Sequence, residues 1–135
     1  MDTKTTGSCL CGKVTFEITG VFTTFYLCHC ERCRKDTGSA HAANLFSTTA
    51  QLSWLSGKEN ITTFTLPETR HSKSFCAICG SALPIQLNAK LIQVPAGCLD
   101  SDVTIRPSAH IFLSDKAHWD HDLDNVPQFE ALPPR

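Results

Sequence analysis

The sequence lacks any long apolar run and carries almost no net charge. No stretch approaches the ~20 consecutive apolar residues that a membrane-spanning helix needs, and residues 1–10 lack the apolar segment of a signal peptide. Twelve Lys and Arg against thirteen Asp and Glu give a formal charge of -1, so no overall field attracts nucleic acid or an anionic membrane. We therefore expect a cytoplasmic protein that binds neither nucleic acid nor membranes.

Internal repeats and low-complexity linkers are also missing. A chain of 135 residues has the length of one ordinary domain, and its hydrophobic content of 41% is sufficient for a core. We expect a single domain over residues 1–135, with an irregular tail at 130–135.

Helical periodicity is nearly absent as well. No window shows a sustained apolar stripe at helical spacing, although residues 115–119 have the composition for one helical turn. Short runs rich in β-branched and aromatic residues, separated by turn signals, instead predict a mainly β fold of small antiparallel sheets. The predicted strands are 13–18, 23–27, 39–46, 51–55, 61–66, 82–87, 91–94 and 110–113. Pro84 cannot donate to a neighbouring strand, so the 82–87 run is expected at a sheet edge at best.

Cysteine, in contrast, is plentiful. In a reducing compartment eight cysteines favour metal binding or thiol chemistry over disulfides. Seven of them fall into three groups, which are Cys9 with Cys11, Cys28 with Cys30 and Cys33, and Cys76 with Cys79.

The first and last groups predict a closed zinc site. Cys76 and Cys79 have the spacing of a zinc knuckle, and Gly80 suits the positive φ that follows such a turn. Cys9 and Cys11, two residues apart on an extended segment, would project to one side and complete a tetrahedron. The alternative is a redox pair at Cys76 and Cys79, which usually lies where a strand leads into a helix.

The middle group predicts a more open site. Cys28, Cys30 and Cys33 supply three thiolates, which leaves one position of a tetrahedral zinc free for chemistry. The alternative is a second closed zinc site, completed by Cys98 or by a histidine. His29, between two of the cysteines, is expected to point away from the face that they share.

Charged residues beside the middle group suggest further roles. Basic side chains there lower thiol pKa values and can meet a substrate carboxylate, although a solvated basic turn is an equally good interpretation. These residues are Arg32, Arg34 and Lys35. For a general acid, the candidates near the cysteine motifs are His29, Asp36 and Asp100.

Taken in order, the motifs resemble the glutathione-dependent formaldehyde-activating enzyme family. The segments that match are GSCLCG at 7–12, CHCERCRK at 28–35, TGS at 37–39 and FCAICGS at 75–81. Residues 96–97, 99–100, 106–107, 110–111 and Trp119 extend the resemblance over roughly residues 7–129.

This resemblance implies a β-tent fold and a zinc enzyme. By analogy with the family, Cys9, Cys11, Cys76 and Cys79 would hold a structural zinc, and Cys28, Cys30 and Cys33 would hold a catalytic zinc. Two zinc ions are therefore expected. The implied activity is that of a carbon-sulfur lyase acting on the adduct of a small thiol such as glutathione and an aldehyde such as formaldehyde. Because the family also has a non-catalytic branch, the alternative is a zinc-binding module for a protein partner.

Overall fold

Short strands dominate the computed structural model, which describes residues 3–135. The strands are β1 (Lys4–Ser8), β2 (Thr15–Thr19), β3 (Thr24–Cys28), β4 (Ala42–Ser47), β5 (Gln51–Ser56), β6 (Ile61–Thr65), β7 (Ser72–Cys76), β8 (Ala82–Leu83), β9 (Ile85–Asn88), β10 (Leu91–Pro95) and β11 (Ala109–Ile111). One α-helix, α1 (Glu31–Thr37), follows β3, and short 3-10 helices occupy Lys58–Asn60, Ala96–Cys98, Leu113–Asp115 and Leu123–Asn125.

The strands form three small sheets. Their orders are β1-β2-β5, β11-β3-β4-β10-β9 and β6-β7-β8. All pairings are antiparallel except that of β11 with β3, which is parallel. The predicted mainly β fold of small antiparallel sheets is thus confirmed.

The core lies between the sheets and is built from alternating strand residues. In β2, Phe16 and Ile18 are fully buried while the alternate residues Thr15, Glu17 and Thr19 are only partly buried, as a half-buried strand requires. The same burial occurs at Leu45 in β4 and at Val94 in β10. These side chains fix the sheets on which the cysteine groups lie.

Helix α1 was not predicted, and neither were β1 and β7. The helix has seven residues of mainly polar character, so it shows no apolar stripe. Its ends are instead defined by local contacts: the Cys30 Sγ accepts a hydrogen bond from the Cys33 N–H, and Gly38 adopts φ 66° after the last turn. The helical turn predicted at 115–119 is also wrong: only Asp115 of that range is helical, as the last residue of the 3-10 helix Leu113–Asp115.

Pro84 divides the predicted 82–87 strand in two. β8 ends before it and β9 begins after it, and each is the last strand of its sheet. The expectation of an edge position is therefore confirmed, because a residue without an N–H tolerates a sheet edge.

Across residues 3–135, no helix is both long and apolar enough to cross a membrane.

Candidate metal centres

Four cysteines from distant parts of the chain meet at one point. The sulfur atoms of Cys9, Cys11, Cys76 and Cys79 all lie within 4.8 Å of one another. Two of the sulfur–sulfur distances are shorter than 4 Å: Cys9 Sγ to Cys11 Sγ is 3.5 Å, and Cys11 Sγ to Cys76 Sγ is 3.9 Å. The two pairs of cysteines that the sequence suggested should combine are therefore adjacent in the structure.

Tight turns bring the sulfur atoms of both pairs together. Cys9 and Cys11 were expected on an extended segment, but they occupy a turn after β1 in which the Gly12 N–H donates to the Cys9 carbonyl at 3.0 Å. The second pair follows the prediction more closely. The Gly80 N–H donates to the Cys76 carbonyl at 2.7 Å, and Gly80 has φ 76°, as expected for a knuckle.

The donor set of this four-cysteine group fits a zinc ion. Tetrahedral zinc with Zn–S bonds of ~2.3 Å places its sulfur ligands ~3.8 Å apart, close to the two distances above. The Val14 N–H also donates to Cys9 Sγ at 3.3 Å, a contact that stabilises a thiolate. Four sulfurs leave no free position on a tetrahedral metal, so the chemistry of the group suits a structural role.

Proton affinities differ within the four-cysteine group. Burial opposes ionisation of Cys79, but hydrogen bonding to the backbone of Cys11 and Ser81 outweighs it and lowers the Cys79 pKa to about 6. A hydrogen bond to the backbone of Lys13 favours the Cys11 thiolate. Burial and the neighbouring thiols outweigh it, however, and raise the pKa of Cys11 to about 11. Without a metal the four thiols therefore cannot all ionise together near neutral pH.

Three further cysteines form a second group at the start of α1. The sulfur atoms of Cys28, Cys30 and Cys33 lie within 4.8 Å of one another, and no other cysteine, histidine or carboxylate of residues 3–135 joins them. Cys28 ends β3 and is held between Ala42 of β4 and Ile111 of β11. Three sulfurs fit a tetrahedral zinc with one position left for a ligand.

One member of this three-cysteine group is a readier thiolate than the others. Burial opposes ionisation of Cys30, but its hydrogen bond from the backbone N–H of Cys33 and the adjacent thiols lower its pKa. Burial, together with neighbouring thiols, raises the pKa of Cys33. Burial likewise raises that of Cys28. A first thiolate at Cys30 is thus available for metal capture.

An imidazole cluster lies beside the three-cysteine group, and no motif in the sequence predicts it. The His29 Nε2 is 2.9 Å from the His110 Nδ1, and the His41 ring is centred 5.1 Å from the His29 ring. The His29 Nδ1 also lies 3.1 Å from the Asp120 Oδ2, within ion-pair distance although not in hydrogen-bond geometry. His29 is 3% exposed, so it is a buried centre linking three segments.

The ring of His29 therefore makes its contacts outside the three-cysteine group. The backbone N–H of His29 donates to the Ile111 carbonyl at 3.0 Å, so the neighbouring strand fixes the backbone between Cys28 and Cys30. The pKa of His41 is lowered, mainly by burial and secondly by the nearby His29, and this favours the neutral form of His41.

The other sequence candidates have local partners. The Cys98 thiol donates to the Pro95 carbonyl at 3.0 Å and joins neither cysteine group. Asp36 accepts from Lys73 and contacts His71, each at 2.7 Å, so it ties α1 to β7. Asp100 accepts from the Ser8 hydroxyl, also at 2.7 Å.

A cavity of about 170 Å³ opens beside the end of α1. Asp36 and Thr37 form one wall, and Lys73 and Gly97 contribute to others. Asp36 is three residues from Cys33, so the two lie on the same side of the helix, where Cβ atoms at this spacing are ~5–6 Å apart. The cavity is therefore within one helical turn of the three-cysteine group.

The fold and the two groups define a small, mainly β, cysteine-rich protein equipped to bind metal ions at two places. Residues 4–115 match the model of the family described as glutathione-dependent formaldehyde-activating enzyme, and the chain belongs to that family. The resemblance noted in the motifs is thus confirmed.

A solved structure supports the same fold. The crystal structure of a Rhodobacter sphaeroides protein aligns with a TM-score of 0.56 and 22% sequence identity, over 78% of this chain and 98% of that one. No curated protein gave a significant match.

Proposed function

We propose that the protein is a zinc-dependent carbon-sulfur lyase that makes and breaks adducts between a small thiol, such as glutathione, and a small aldehyde, such as formaldehyde. The observation that carries the proposal is the three-thiol group of Cys28, Cys30 and Cys33, to which the described residues add no fourth ligand. Membership of the formaldehyde-activating family supports the choice of thiol and aldehyde.

The reaction requires a sulfur nucleophile and a proton carrier. The thiol sulfur forms a bond to the carbonyl carbon, the C=O π electrons move to oxygen, and the proton lost by sulfur ends on that oxygen. Thiol and aldehyde thus give a hydroxymethyl thioether, and the lyase direction is the reverse. When bound by the three cysteines, zinc would stabilise the substrate sulfur as a thiolate and place it for attack.

The chain's own residues would hold this site and move the proton. Strand pairing on both sides of Cys28 and the helix-capping role of the Cys30 sulfur fix two of the three thiols before substrate arrives. His110 is exposed, and only its Nδ1 is used in the bond to His29. Its Nε2 is then the ring atom that exchanges the reaction's proton with solvent.

Roles for the four-cysteine group follow from its closed donor set. We propose that Cys9, Cys11, Cys76 and Cys79 hold a structural zinc that joins the N-terminal turn to the end of β7. Two zinc ions per chain are expected, and only the one at the three-cysteine group would take part in chemistry.

The test is to follow formaldehyde consumption with glutathione, and with other small thiols, above the spontaneous rate. Cys30→Ser should abolish the acceleration while leaving the circular dichroism spectrum unchanged. Cys98→Ser is the matched control, since that thiol lies outside both groups, and it should retain activity. Failure of the zinc-loaded wild type to accelerate any thiol and aldehyde pair would remove the enzymatic proposal.

A second candidate, a zinc module for a protein partner, is favoured by one observation. Large apolar side chains are exposed along the segment from 112 to 132: Phe112, Leu113, Trp119, Leu123, Val126, Phe129 and Leu132. Exposed apolar surface of this kind marks protein interfaces. Metal counting separates the two candidates, because one zinc per chain favours the module, whereas two zincs with an exchangeable ligand position favour the enzyme.

A further inference from the structure

The C-terminal end of helix α1 is held by two side chains from outside the helix. Lys73 of β7 lies with its Nζ 2.7 Å from the Asp36 Oδ1, and it also donates to the Asp36 carbonyl at 3.0 Å. His71, just before β7, lies with its Nε2 2.7 Å from the Asp36 Oδ2. We call these three residues the Asp36 clamp. Their side chains are only 16% to 27% exposed, so solvent screens the clamp less than a surface ion pair.

Helix α1 depends on such contacts because it has little stability of its own. Its seven residues are far fewer than the ~12–15 that an isolated helix needs. Only Cys33 among them, all of which the structure describes, is buried. The last four carbonyls of a helix have no partner inside it, and they carry the negative end of its dipole. The Lys73 ammonium satisfies one of these carbonyls and complements that end of the dipole.

The shape of α1 in turn sets the positions of two thiols. The Cys30 Sγ caps the start of the helix by accepting from the Cys33 N–H, and Cys33 lies three residues before Asp36. The Thr37 hydroxyl donates to the Cys33 carbonyl at 2.8 Å, which joins the last turn to the first. Because a helix forms cooperatively, loss of the last turn would also loosen the first, where the two sulfurs are placed.

The other side of the clamp leads to the four-cysteine group. β7 runs from Ser72 to Cys76 and is paired with β6 on one edge and with β8 on the other. Lys73 is therefore three residues from Cys76, on a strand held from both sides. A metal ion at the four-cysteine group would fix the end of this strand, and with it the position from which Lys73 reaches α1.

We propose that Lys73 and Asp36 are positioning residues that couple the two cysteine groups, so that metal at the four-cysteine group strengthens zinc binding at the three-cysteine group. The inference rests on the proposed function in one respect, because it takes both groups to bind zinc. Neither residue belongs to either cysteine group, so both act through the helix and the strand that carry the thiols. The open site would then hold zinc firmly only in a chain whose closed site is already filled.

The test measures the zinc occupancy of each group separately. Full-length protein is equilibrated in chelator buffers of fixed free zinc and alkylated briefly, and mass spectrometry identifies the cysteines that zinc protects relative to the zinc-free protein. In the wild type, the four-cysteine group should be protected at a lower free zinc concentration, since it offers one ligand more.

Lys73→Met keeps the length of the side chain but removes its charge. It should raise the free zinc needed to protect the three-cysteine group about 10–100-fold, the usual effect of losing a supporting contact around a metal site. Protection of the four-cysteine group should not change, because its own ligands and turns are intact.

Three further variants check that the effect comes from the clamp. Lys73→Arg keeps the charge and can still reach Asp36, so it should retain most of the wild-type zinc affinity. Lys35→Gln is the matched control, since it removes an exposed ion pair with Glu31 from the same helix and should leave protection unchanged. Asp36→Asn should weaken zinc binding at the three-cysteine group, and adding Lys73→Met to it should have little further effect because both break one contact.

Several results would overturn the inference. An equal zinc requirement for the three-cysteine group in wild type and Lys73→Met would show that the clamp does not position the thiols, and the proposed function would stand. Parallel loss of protection at both groups, or no rescue by Lys73→Arg, would show that Lys73 serves only the general stability of the fold. A wild type whose three-cysteine group is never protected by zinc would remove the proposed function as well.

The wild type alone decides the matter if Lys73→Met does not fold. Coupling requires that molecules with a protected three-cysteine group also have a protected four-cysteine group, which the mass of the intact alkylated chain reports. Molecules protected only at the three-cysteine group, at any free zinc concentration, would contradict the proposal.

Discussion

The His29 Nδ1 and the Asp120 Oδ2 lie 3.1 Å apart, so a residue between two thiols of the three-cysteine group is in contact with the C-terminal segment. Asp120 has 14% of its side chain exposed and His29 has 4%, so solvent screens the contact little. The loop that presents the thiols is consequently supported by residues far away in the sequence.

Asp120→Asn is expected to destabilise the protein by ~1–3 kcal/mol, because it removes the carboxylate that faces the buried His29 imidazole. Urea unfolding of the zinc-loaded protein measures the change. Asp124→Asn, at an exposed position, is the control and should change stability little. Equal unfolding midpoints for the two variants would show that the contact contributes nothing.

Cys76→Ser should release one zinc and lower the melting temperature sharply, because metal binding and folding are coupled in closed sites. Cys76 is fully buried, so the change cannot be relieved by solvent. Zinc analysis and thermal unfolding are the measurements, with Cys98→Ser as the control. Full zinc content and unchanged melting in Cys76→Ser would contradict a structural site.

Gly7→Ala should destabilise the fold by ~1–3 kcal/mol through overpacking. A Cβ there would lie 2.2 Å from Phe16 Cζ and 2.7 Å from the Cys98 carbonyl oxygen. Gly97→Ala is the matched control, since nothing lies within 4 Å of its added Cβ. Denaturant midpoints should separate the two variants, and similar midpoints would argue against close packing at Gly7.

His41 should make the protein less stable in acid. Its folded pKa is lowered, by burial first and then by His29, so the unfolded chain binds a proton more readily. The associated stability is present above the ordinary pKa of 6.5 and is lost as the pH falls through the folded value. Melting temperatures of wild type and His41→Asn between about pH 7.5 and 5 should therefore converge on acidification. Parallel curves would show that His41 does not contribute, since acid release of zinc affects both proteins.

The sequence predicted those features that depend on local pattern. Spacing and a permissive glycine identified the knuckle at Cys76 and Cys79, and alternation identified β2, because these signals span only a few residues. Helix α1 was missed because its start is defined by the Cys30 sulfur, which accepts a hydrogen bond, rather than by an apolar stripe that a sequence pattern would show.

Long-range contacts had no local signal. His29 and His110 are 81 residues apart, and the parallel pairing of β11 with β3 brings them together. The residues next to either histidine in the sequence do not indicate that the other histidine is its partner. Likewise, three adjacent basic residues look alike in the sequence, and only packing distinguishes Arg34, whose Nε is buried, from the others.

The two cysteine groups differ greatly in how much chain they enclose. Cys28, Cys30 and Cys33 are separated by five positions in all, whereas Cys11 and Cys76 are 65 residues apart. During synthesis the three-cysteine group is therefore complete while half of the four-cysteine group has yet to leave the ribosome. Closing a short loop also costs less entropy than closing a long one. The nascent chain would accordingly complete its three-cysteine group first, and the four-cysteine group would form second.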